Sequence, residues 1–449
     1  MKKLVIITIA GIFTLNSFGQ AKDSSKAYSF SLQQAIDFAM QNQNDIKNAV
    51  IDEEIARKKV NEITGMGLPQ INSSLDIKDF LEIPTSLIPA EFFGGQPGTY
   101  ASVKFGTQYQ STAGFDASQL IFSGDFFVGL KAAKTFVELS TKSTQRTKIE
   151  TSATVSKAYY TVLVNVEREK LMNSNIARVK KALDDTKALL ENGFVEKIDF
   201  DRLTVTYNNL LIEQEKIQRL LGIGIYLLKY QMGMDVNAQL TLTDKLADVK
   251  IDIATTTSAQ KFDYSKRVEY GLFDTQYKLA QLDLKRNRFS YLPSAFAYGA
   301  LSGNAYRTEF DMFNSKTPWY PTALIGAKVT MPIFTGFQRN SRNQQAQLAL
   351  EKAENNMDFI KKSIDLELAS SNVALQNASS SLENQRKNIA IAEDVVRVAK
   401  LKYDQGVGSN LELITAETAL QEAQTNYYNA LFDALVAKID FDKANGNLK

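Results

Sequence analysis

The sequence contains no cysteine and no histidine. Without cysteine the chain cannot form a disulfide, a thiolate metal site or an acylated N-terminal cysteine, so it is not a lipoprotein of the usual kind. It also lacks the commonest general base, the commonest metal ligand and the commonest thiol nucleophile. We therefore expect no enzymatic activity, no metal site and no cofactor.

An excess of one charge is missing as well, and proline is scarce. The 449 residues carry 52 basic and 50 acidic side chains, with no basic block of the kind that binds nucleic acid. The 8 prolines are few for a chain of this length, which would otherwise be expected to form two or three globular domains. Scarce proline favours long uninterrupted helices.

No apolar run is long enough to form a membrane helix, which needs about 20 residues. The apolar stretch 4–15 follows Met1-Lys2-Lys3 and precedes small residues. This pattern is typical of a secretory signal peptide, and we expect cleavage after Gly19, so that 1–19 is removed. The mature chain is then either soluble or crosses a membrane as β-strands.

Three landmarks occur twice, in the same order, along the chain. They are Leu-Pro at 68–69 and 292–293, Phe-Ser-Gly or Phe-Thr-Gly at 122–124 and 334–336, and a glycine at 193 and 406 (406 − 193 = 213). Ordered duplication indicates two tandem structural repeats. We predict repeat 1 at 20–235, an equatorial linker at 236–265 and repeat 2 at 266–449.

Each repeat is predicted to contain a long helix and a second helix joined by a glycine turn. The predicted helices are about 125–191 and 197–231 in repeat 1, and about 337–404 and 410–443 in repeat 2. The last helix has apolar residues at alternating steps of three and four, which is a coiled-coil seam. Its members are Leu413, Ala416, Leu420, Ala423, Tyr427, Ala430, Ala434, Ala437 and Phe441. The same seam recurs 213 residues earlier, except at Gln214 and Gly224. Gly193 and Gly406 therefore mark reversals between antiparallel helices.

Alternation with a period of two predicts four strands, at about 69–82, 101–123, 293–308 and 321–335. From Val103 to Ile121 the alternation exceeds a normal globular strand of about 5–6 residues and is typical of a lipid-facing row against a water-facing row. In the third strand the pattern is ambiguous, with Phe296 and Tyr298 on one face and alanines on the other. Trp319 and Tyr320 precede the fourth strand, where membrane-interface aromatics would lie.

Four strands cannot close a barrel in a membrane, where open edges leave backbone groups unpaired. Closed barrels need at least about 8 strands, so the chain must share one with other copies. Three copies would supply 12 strands, and two would supply 8, whose interior is nearly filled by side chains. If the barrel serves to export anything sizeable, three copies are favoured over two. The alternative is a secreted periplasmic coiled-coil scaffold without a pore, whose strands form a soluble sandwich.

With the motif Ser-Leu-Gln-Gln-Ala-Ile at 31–36, these duplicated landmarks resemble the TolC-type outer-membrane efflux channel family. The resemblance implies a homotrimer in the outer membrane. Its 12-stranded β-barrel, four strands per chain, would continue into a long periplasmic α-helical coiled-coil barrel. It further implies passive conduction from an inner-membrane RND or ABC transporter through a periplasmic adaptor, in efflux or type I secretion. Drugs, metal ions and proteins all pass through such channels, so the substrate is not predicted.

The resemblance also implies roles for residues at the two turns. Adaptor docking falls on Gly193, Phe194, Gly406 and Val407, although Asn192 and Gln405 replace the valine that the family has before glycine. Gating would be an outward movement of the coil 406–441.

In some relatives an Asp, Tyr and Arg network closes the tip. Asp199 and Tyr403 fall on the first two positions, whereas Gly408 stands in place of the arginine, and Lys197 is the candidate substitute. An acidic ring at the pore aperture falls on Glu412 and Thr415, of which only the first is acidic. Carboxylates repeated by symmetry around an opening favour cations. The alternative is that Glu412 is an ordinary solvated charge of the coil.

Overall fold

The computed structural model describes residues 27–246, 262–312, 314 and 316–448, and the predicted signal peptide 1–19 lies outside them. The chain is mainly helical, as the sequence predicts. The helices are α1 Leu32–Asn42, α2 Asn44–Met66, α3 Gly124–Glu191, α4 Lys197–Met232, α5 Val268–Phe289, α6 Gln338–Asp404 and α7 Asn410–Ala444. The strands are β1 Ala27–Phe30, β2 Gln70–Asp79, β3 Thr85–Pro89, β4 Tyr100–Lys104, β5 Tyr109–Phe122, β6 Gln239–Leu242, β7 Ser294–Arg307 and β8 Tyr320–Thr330.

The chain divides into two compact units. Within the described residues, unit one comprises 27–43, 154–246 and 381–435. Unit two comprises 44–153, 262–312, 314, 316–380 and 436–448.

Unit one contains two antiparallel helix pairs, each packed along its own apolar seam. In the first pair, α3 and α4 bury a cluster of apolar side chains that includes Val179, Leu203 and Leu210. In the second pair, α6 and α7 bury an equivalent cluster that includes Val396 and Leu413. Every seam residue predicted in α7 is buried or half-buried, because the steps of three and four keep these side chains on one face of the helix.

The core of unit one lies beside a short parallel pairing of β1 with β6. Tyr159 is fully buried there, and its hydroxyl donates a hydrogen bond to the carbonyl of Phe30 at 3.1 Å. Burial, together with hydrogen bonding to Asp244, raises the pKa of this tyrosine. The backbone N–H of Leu32 donates to the carboxylate of Asp244 at 2.8 Å, which ties the start of α1 to the chain after β6.

Unit two contains a four-stranded antiparallel sheet in the order β2-β5-β7-β8. Residues directly opposite one another in adjacent strands share a side of the sheet. By this register one side, the apolar face, carries almost only aliphatic, aromatic or small side chains over its middle. These are Ile71, Leu75, Ile77, Ala113, Phe115, Ala117, Leu301, Ala323, Ile325, Ala327 and Val329.

The other side of the sheet, the polar face, carries hydrogen bonds that cross the strands. Asn72 of β2 donates to Asp116 of β5 at 3.1 Å. Thr112 of β5 donates to Asn304 of β7 at 2.9 Å, and Asn304 donates to Thr322 of β8 at 3.0 Å. The two sides of the sheet therefore differ in the way that the alternating sequence predicts.

The strand predicted at 101–123 is wrong as one element, because the chain breaks it between β4 and β5. Gly106 adopts a φ of +128°, which interrupts the extended conformation. Residues 100–104 pair with β3 in a separate hairpin, and 109–122 pair with β2 and β7. The stretch from 83 to 98, which lies between the first two predicted strands, contributes β3 and a 3₁₀ turn to that hairpin.

The last predicted strand also ends early, at Thr330 instead of about 335. Pro332 lies two residues further on, and proline has no N–H with which to continue a ladder. At the opposite end of the sheet, residues 308–312 cover the margin of the apolar face. Met312 is buried there and accepts a hydrogen bond from Ser111 at 3.0 Å.

In the part of the chain that the structure describes, no helix combines the length and the apolarity that crossing a bilayer requires.

Candidate functional site

The two helical turns of unit one have the same backbone conformation. Gly193 has a φ of +73° and Gly406 a φ of +71°, which only glycine adopts without strain. In the first turn, Gly193 and Phe194 donate to the carbonyls of Leu190 and Leu189. The second turn repeats this pattern, as Gly406 and Val407 donate to Tyr403 and Lys402. Both are Schellman motifs, which pair the last carbonyls of α3 and α6.

Each turn presents one large apolar side chain to its surroundings. Phe194 is 78% exposed and Val407 is 79% exposed. The two residues occupy equivalent positions, one after the glycine. A Cβ atom added at Gly193 or Gly406 would contact nothing within 4 Å, so both turns are open on this side. The geometry places all four residues predicted for docking at two exposed tips.

Tyr403 joins the two helix pairs, although not through the predicted partner. Its hydroxyl lies 2.9 Å from the hydroxyl of Thr186 in α3, which is fully buried. Thr186 stands among the seam residues of α3, where its counterpart in α6 is Ala399 (186 + 213). A hydroxyl among apolar seam positions is the sequence feature that could have revealed this pair.

Asp199 contributes its backbone to the contact between the helix pairs. Its carbonyl accepts a hydrogen bond from the side-chain amide of Asn410 at 2.8 Å, and Asn410 is buried. The carboxylate of Asp199 instead lies 3.8 Å from Arg202, one turn further along its own helix. Within the described residues Lys197 makes no hydrogen bond or ion pair, so the structure does not bring the three predicted gating side chains together.

Glu412 and Thr415 lie on the wall of an open groove of about 600 Å³ between α6 and α7. The carboxylate of Glu412 pairs with Lys402 at 2.9 Å, and both side chains are about half exposed. The hydroxyl of Thr415 donates to the carbonyl of Leu411 in its own helix. Glu412 is thus a partly neutralised carboxylate, and the groove around it is lined mainly by small and apolar residues.

A second set of contacts between the helix pairs was not predicted from the sequence. Arg178 of α3 pairs with Glu417 of α7 at 3.2 Å and donates to Asn175 at 2.7 Å. Asn175 in turn donates to Gln424 at 2.8 Å, and both amides are buried. With the bonds of Tyr403 and Asn410, these contacts form what we call the cross-coil ladder.

Arg168 lies beside a cavity of about 210 Å³ between the helix pairs. Burial lowers the pKa of its guanidinium, against the opposing effect of Asp433 and Glu213 nearby. The side chain hydrogen-bonds Asn429. Burial likewise raises the pKa of Tyr428 beside it. These groups hold the two pairs together around a polar cavity.

In unit two, the two predicted interface aromatics lie on opposite faces of the sheet. Trp319 lies over Gly303 on the apolar face. A Cβ atom added to Gly303 would come within 3.3 Å of the ring of Trp319. Tyr320 pairs with Asn304 on the polar face, and its ring lies 6.2 Å from that of Tyr306. Only Trp319 is therefore positioned beside the apolar face.

Exposed aromatic rings also gather where the strands meet the helices, and the sequence reasoning missed them. Phe122 contacts Phe127 with ring centroids 6.0 Å apart, and Phe334 contacts Phe337 at 5.6 Å. All four rings are largely exposed. Their positions at the junction of β5 with α3 and just before α6 were the signal that could have found them.

Among the described residues there is no group of three or more acidic side chains that could hold a metal ion.

Comparisons with known proteins bear on the family. The family model described as "Outer membrane efflux protein" matches residues 272–447. The "Probable efflux pump outer membrane protein TtgC" of Pseudomonas putida is 23% identical over 351 residues, covering 76% of this chain and 69% of that protein. The "Outer membrane protein TolC" of Escherichia coli is 22% identical over 466 residues, covering 100% of this chain and 87% of that protein.

The fold matches a solved outer-membrane channel. The open state of the Neisseria gonorrhoeae MtrE outer membrane channel superposes with a TM-score of 0.72 at 19% identity, covering 92% of this chain and 88% of that one. The family is one of outer-membrane channel proteins, not of enzymes. These matches confirm the predicted resemblance to TolC-type outer-membrane efflux channels and the predicted outer-membrane location.

Proposed function

We propose that this chain is one subunit of a homotrimeric outer-membrane export channel, which conducts substrates passively for an inner-membrane RND or ABC transporter and a periplasmic adaptor. The observation that carries the proposal is the four-stranded sheet with one apolar and one polar face. Within the described residues its edge strands β2 and β8 each pair on one side only. In lipid, each unpaired backbone group costs several kcal/mol, so the edges call for strands from other copies.

Three copies supply twelve strands, which form a closed barrel with the apolar face toward lipid and the polar face toward water. Exposed apolar stripes on the helices of unit one support the same assembly. Ile198, Val205 and Ile212 recur every seven residues on the outer side of α4, and all three are at least half exposed. The groove between α6 and α7 exposes Val395, Val398 and Leu411. We infer that the stripe of one copy packs in the groove of the next.

The decisive experiment combines the mass and the conductance of the full chain. We expect protein extracted from outer membranes in detergent to have the mass of three subunits and to conduct ions in a planar bilayer. A monomer that stays in solution without detergent and carries no current would contradict the channel and support the scaffold alternative.

Gating is assigned to the cross-coil ladder. Opening the tip by outward movement of the coil 406–441 requires breaking bonds that join α3 and α4 to α6 and α7. Those of Thr186 with Tyr403 and of Asn410 with Asp199 lie nearest the turns. We therefore assign closure of the tip to these two pairs, and not to the Asp–Tyr–Arg network of some relatives. In these pairs Asp199 contributes its backbone carbonyl, and Lys197 takes no part.

Adaptor docking is assigned to the two exposed tips. Phe194 and Val407 each project from a rigid turn, and an exposed apolar side chain on a rigid support is a suitable anchor for a partner helix or loop. The aperture is assigned to Glu412 and Thr415, with Lys402 offsetting the negative charge of the first. Trp319 marks the lipid boundary of the apolar face at the end of the sheet away from the helices.

A further inference from the structure

The polar face of the sheet contains an apolar patch that the alternating pattern does not explain. By the strand register, Leu120 lies opposite Phe296, Tyr298 follows on the same face of β7, and Ala300 lies opposite Leu324. Phe296 is 38% exposed, Tyr298 44% and Leu324 46%. We call these five residues the lumenal patch, since the polar face lines the channel in the function proposed above.

The ring of Tyr298 lies down against the sheet. Its cross-strand neighbour is Gly326, and a Cβ atom added to that glycine would lie 2.7 Å from Cζ of the ring. The missing side chain therefore leaves room for the tyrosine to cover the backbone of β8. An aromatic ring held over a glycine in this way keeps one π-face available to a ligand.

Opposite charges border the lumenal patch. Lys328 lies directly across from Phe296, and Asp116 lies directly across from Ala300 on the same face. Asp116 also accepts the hydrogen bond from Asn72 that begins the polar row. A flat apolar surface between a cation and an anion suits a planar molecule that carries a polar or charged substituent.

We propose that the lumenal patch binds planar aromatic solutes in transit, by stacking on Phe296 and Tyr298. This proposal rests on the proposed channel function and names a substrate class for it. Five side chains are far too few for a protein partner, which needs roughly 800 Å² on each side. Lipid is not the occupant, because the opposite face already carries the continuous apolar surface.

The test compares block of the channel by two monovalent cations, ethidium, which is planar and aromatic, and tetraethylammonium, which is not. Full-chain channels in a planar bilayer carry a potassium current, and each cation is added to both sides. We expect ethidium to block the current with longer dwell times than tetraethylammonium. Each ring removed, in Phe296→Leu and Tyr298→Leu, should shorten the ethidium dwell time roughly two- to tenfold and leave tetraethylammonium block unchanged.

Leucine keeps apolar bulk in these variants, so a role in packing alone predicts unchanged block. Tyr306→Leu is the matched control, since Tyr306 is an exposed ring on the same face of the same strand, outside the patch. Equal loss of ethidium block in Tyr306→Leu, or no loss in the patch variants, would overturn the proposal. If the wild-type chain carries no current, the channel itself fails. Ethidium fluorescence titrated against the detergent-purified protein then still decides whether Phe296 and Tyr298 bind it.

Discussion

The two turns of unit one share a backbone but not a set of neighbours. Both end a long helix in a Schellman motif at a left-handed glycine, and both expose one apolar side chain one residue later. Beyond the turns they diverge. Asn410 is buried and reaches across to the other helix pair, whereas its counterpart Lys197 (410 − 213) is exposed.

The carboxylates of the two turns diverge in the same way. Glu412 pairs with Lys402 across its turn at 2.9 Å, while its counterpart Asp199 lies 3.8 Å from Arg202 in its own helix. Gly408 is also confined, since an added Cβ would come within 2.8 Å of Lys402, and Val195 stands at the matching position of the first turn. The two turns therefore share a backbone conformation, whereas Asn410 makes the second turn the one that reaches across to the other helix pair.

Blocking the tips should have the largest effect. Gly406→Trp places an indole on an open tip, where the new Cβ atom contacts nothing within 4 Å and the left-handed φ adds a strain of about 1–2 kcal/mol. We expect export to be abolished while trimer assembly is unchanged. Gly193→Trp makes the same change in the first turn, and measuring export and trimer mass in both shows whether the tips dock equally. Normal export in both variants would argue against docking there.

The next test separates Asn410 from its counterpart. Asn410→Ala removes a buried hydrogen bond to the carbonyl of Asp199, which should weaken closure by about 1–2 kcal/mol. We expect the fraction of time that the channel conducts in a planar bilayer to rise about tenfold. Lys197→Ala should leave the current unchanged. Equal effects of the two substitutions would show that the second turn has no special role in closure.

The hydrogen bond between Thr186 and Tyr403 should contribute less to closure of the tip than the bond of Asn410 does. Thr186→Val keeps the shape of the side chain and removes its hydroxyl, at a cost of about 0.5–1.5 kcal/mol to the closed tip. Tyr403→Phe removes the other partner. If the two hydroxyls act only on each other, the double variant should raise conductance no more than either single one; additive effects would contradict the pair.

Charge at the aperture should have the smallest effect. Glu412→Gln should lower cation selectivity only slightly, because Lys402 already offsets the carboxylate and exposed ion pairs contribute about 0–1 kcal/mol. Lys402→Gln should raise cation selectivity. The reversal potential in a salt gradient measures both changes, and Asp199→Asn is the control in the first turn. Unchanged selectivity in all three variants would contradict the hypothesis of an acidic ring at the aperture.

The helices and turns could be predicted because the same apolar spacing is repeated many times along each long helix. α3 and α6 were expected at about 125–191 and 337–404, and they are observed at Gly124–Glu191 and Gln338–Asp404. The glycines were identified by position, and the apolar seam by 16 residues that obey one spacing in two helices. A single substitution such as Gln214 does not hide such a pattern.

The contacts between the helix pairs could not be predicted, because each depends on two side chains far apart in the sequence. Arg178 and Glu417 are separated by 239 residues and belong to helices whose relative rotation the seam does not fix. The same limit applied to the strands. Alternation continued through Phe105 and Thr107, and only the pairing partners show that β4 and β5 belong to different sheets.

The pairing of β1 with β6 has a consequence for how the chain is made. Residues 27–30 find their partners at 239–242, and Leu32 finds Asp244 212 residues later. The strand β1 therefore cannot pair with β6 until more than half of the chain has been delivered to the compartment where it folds. Contacts this distant in sequence are slow to close, so the pairing of β1 with β6 should form late in folding.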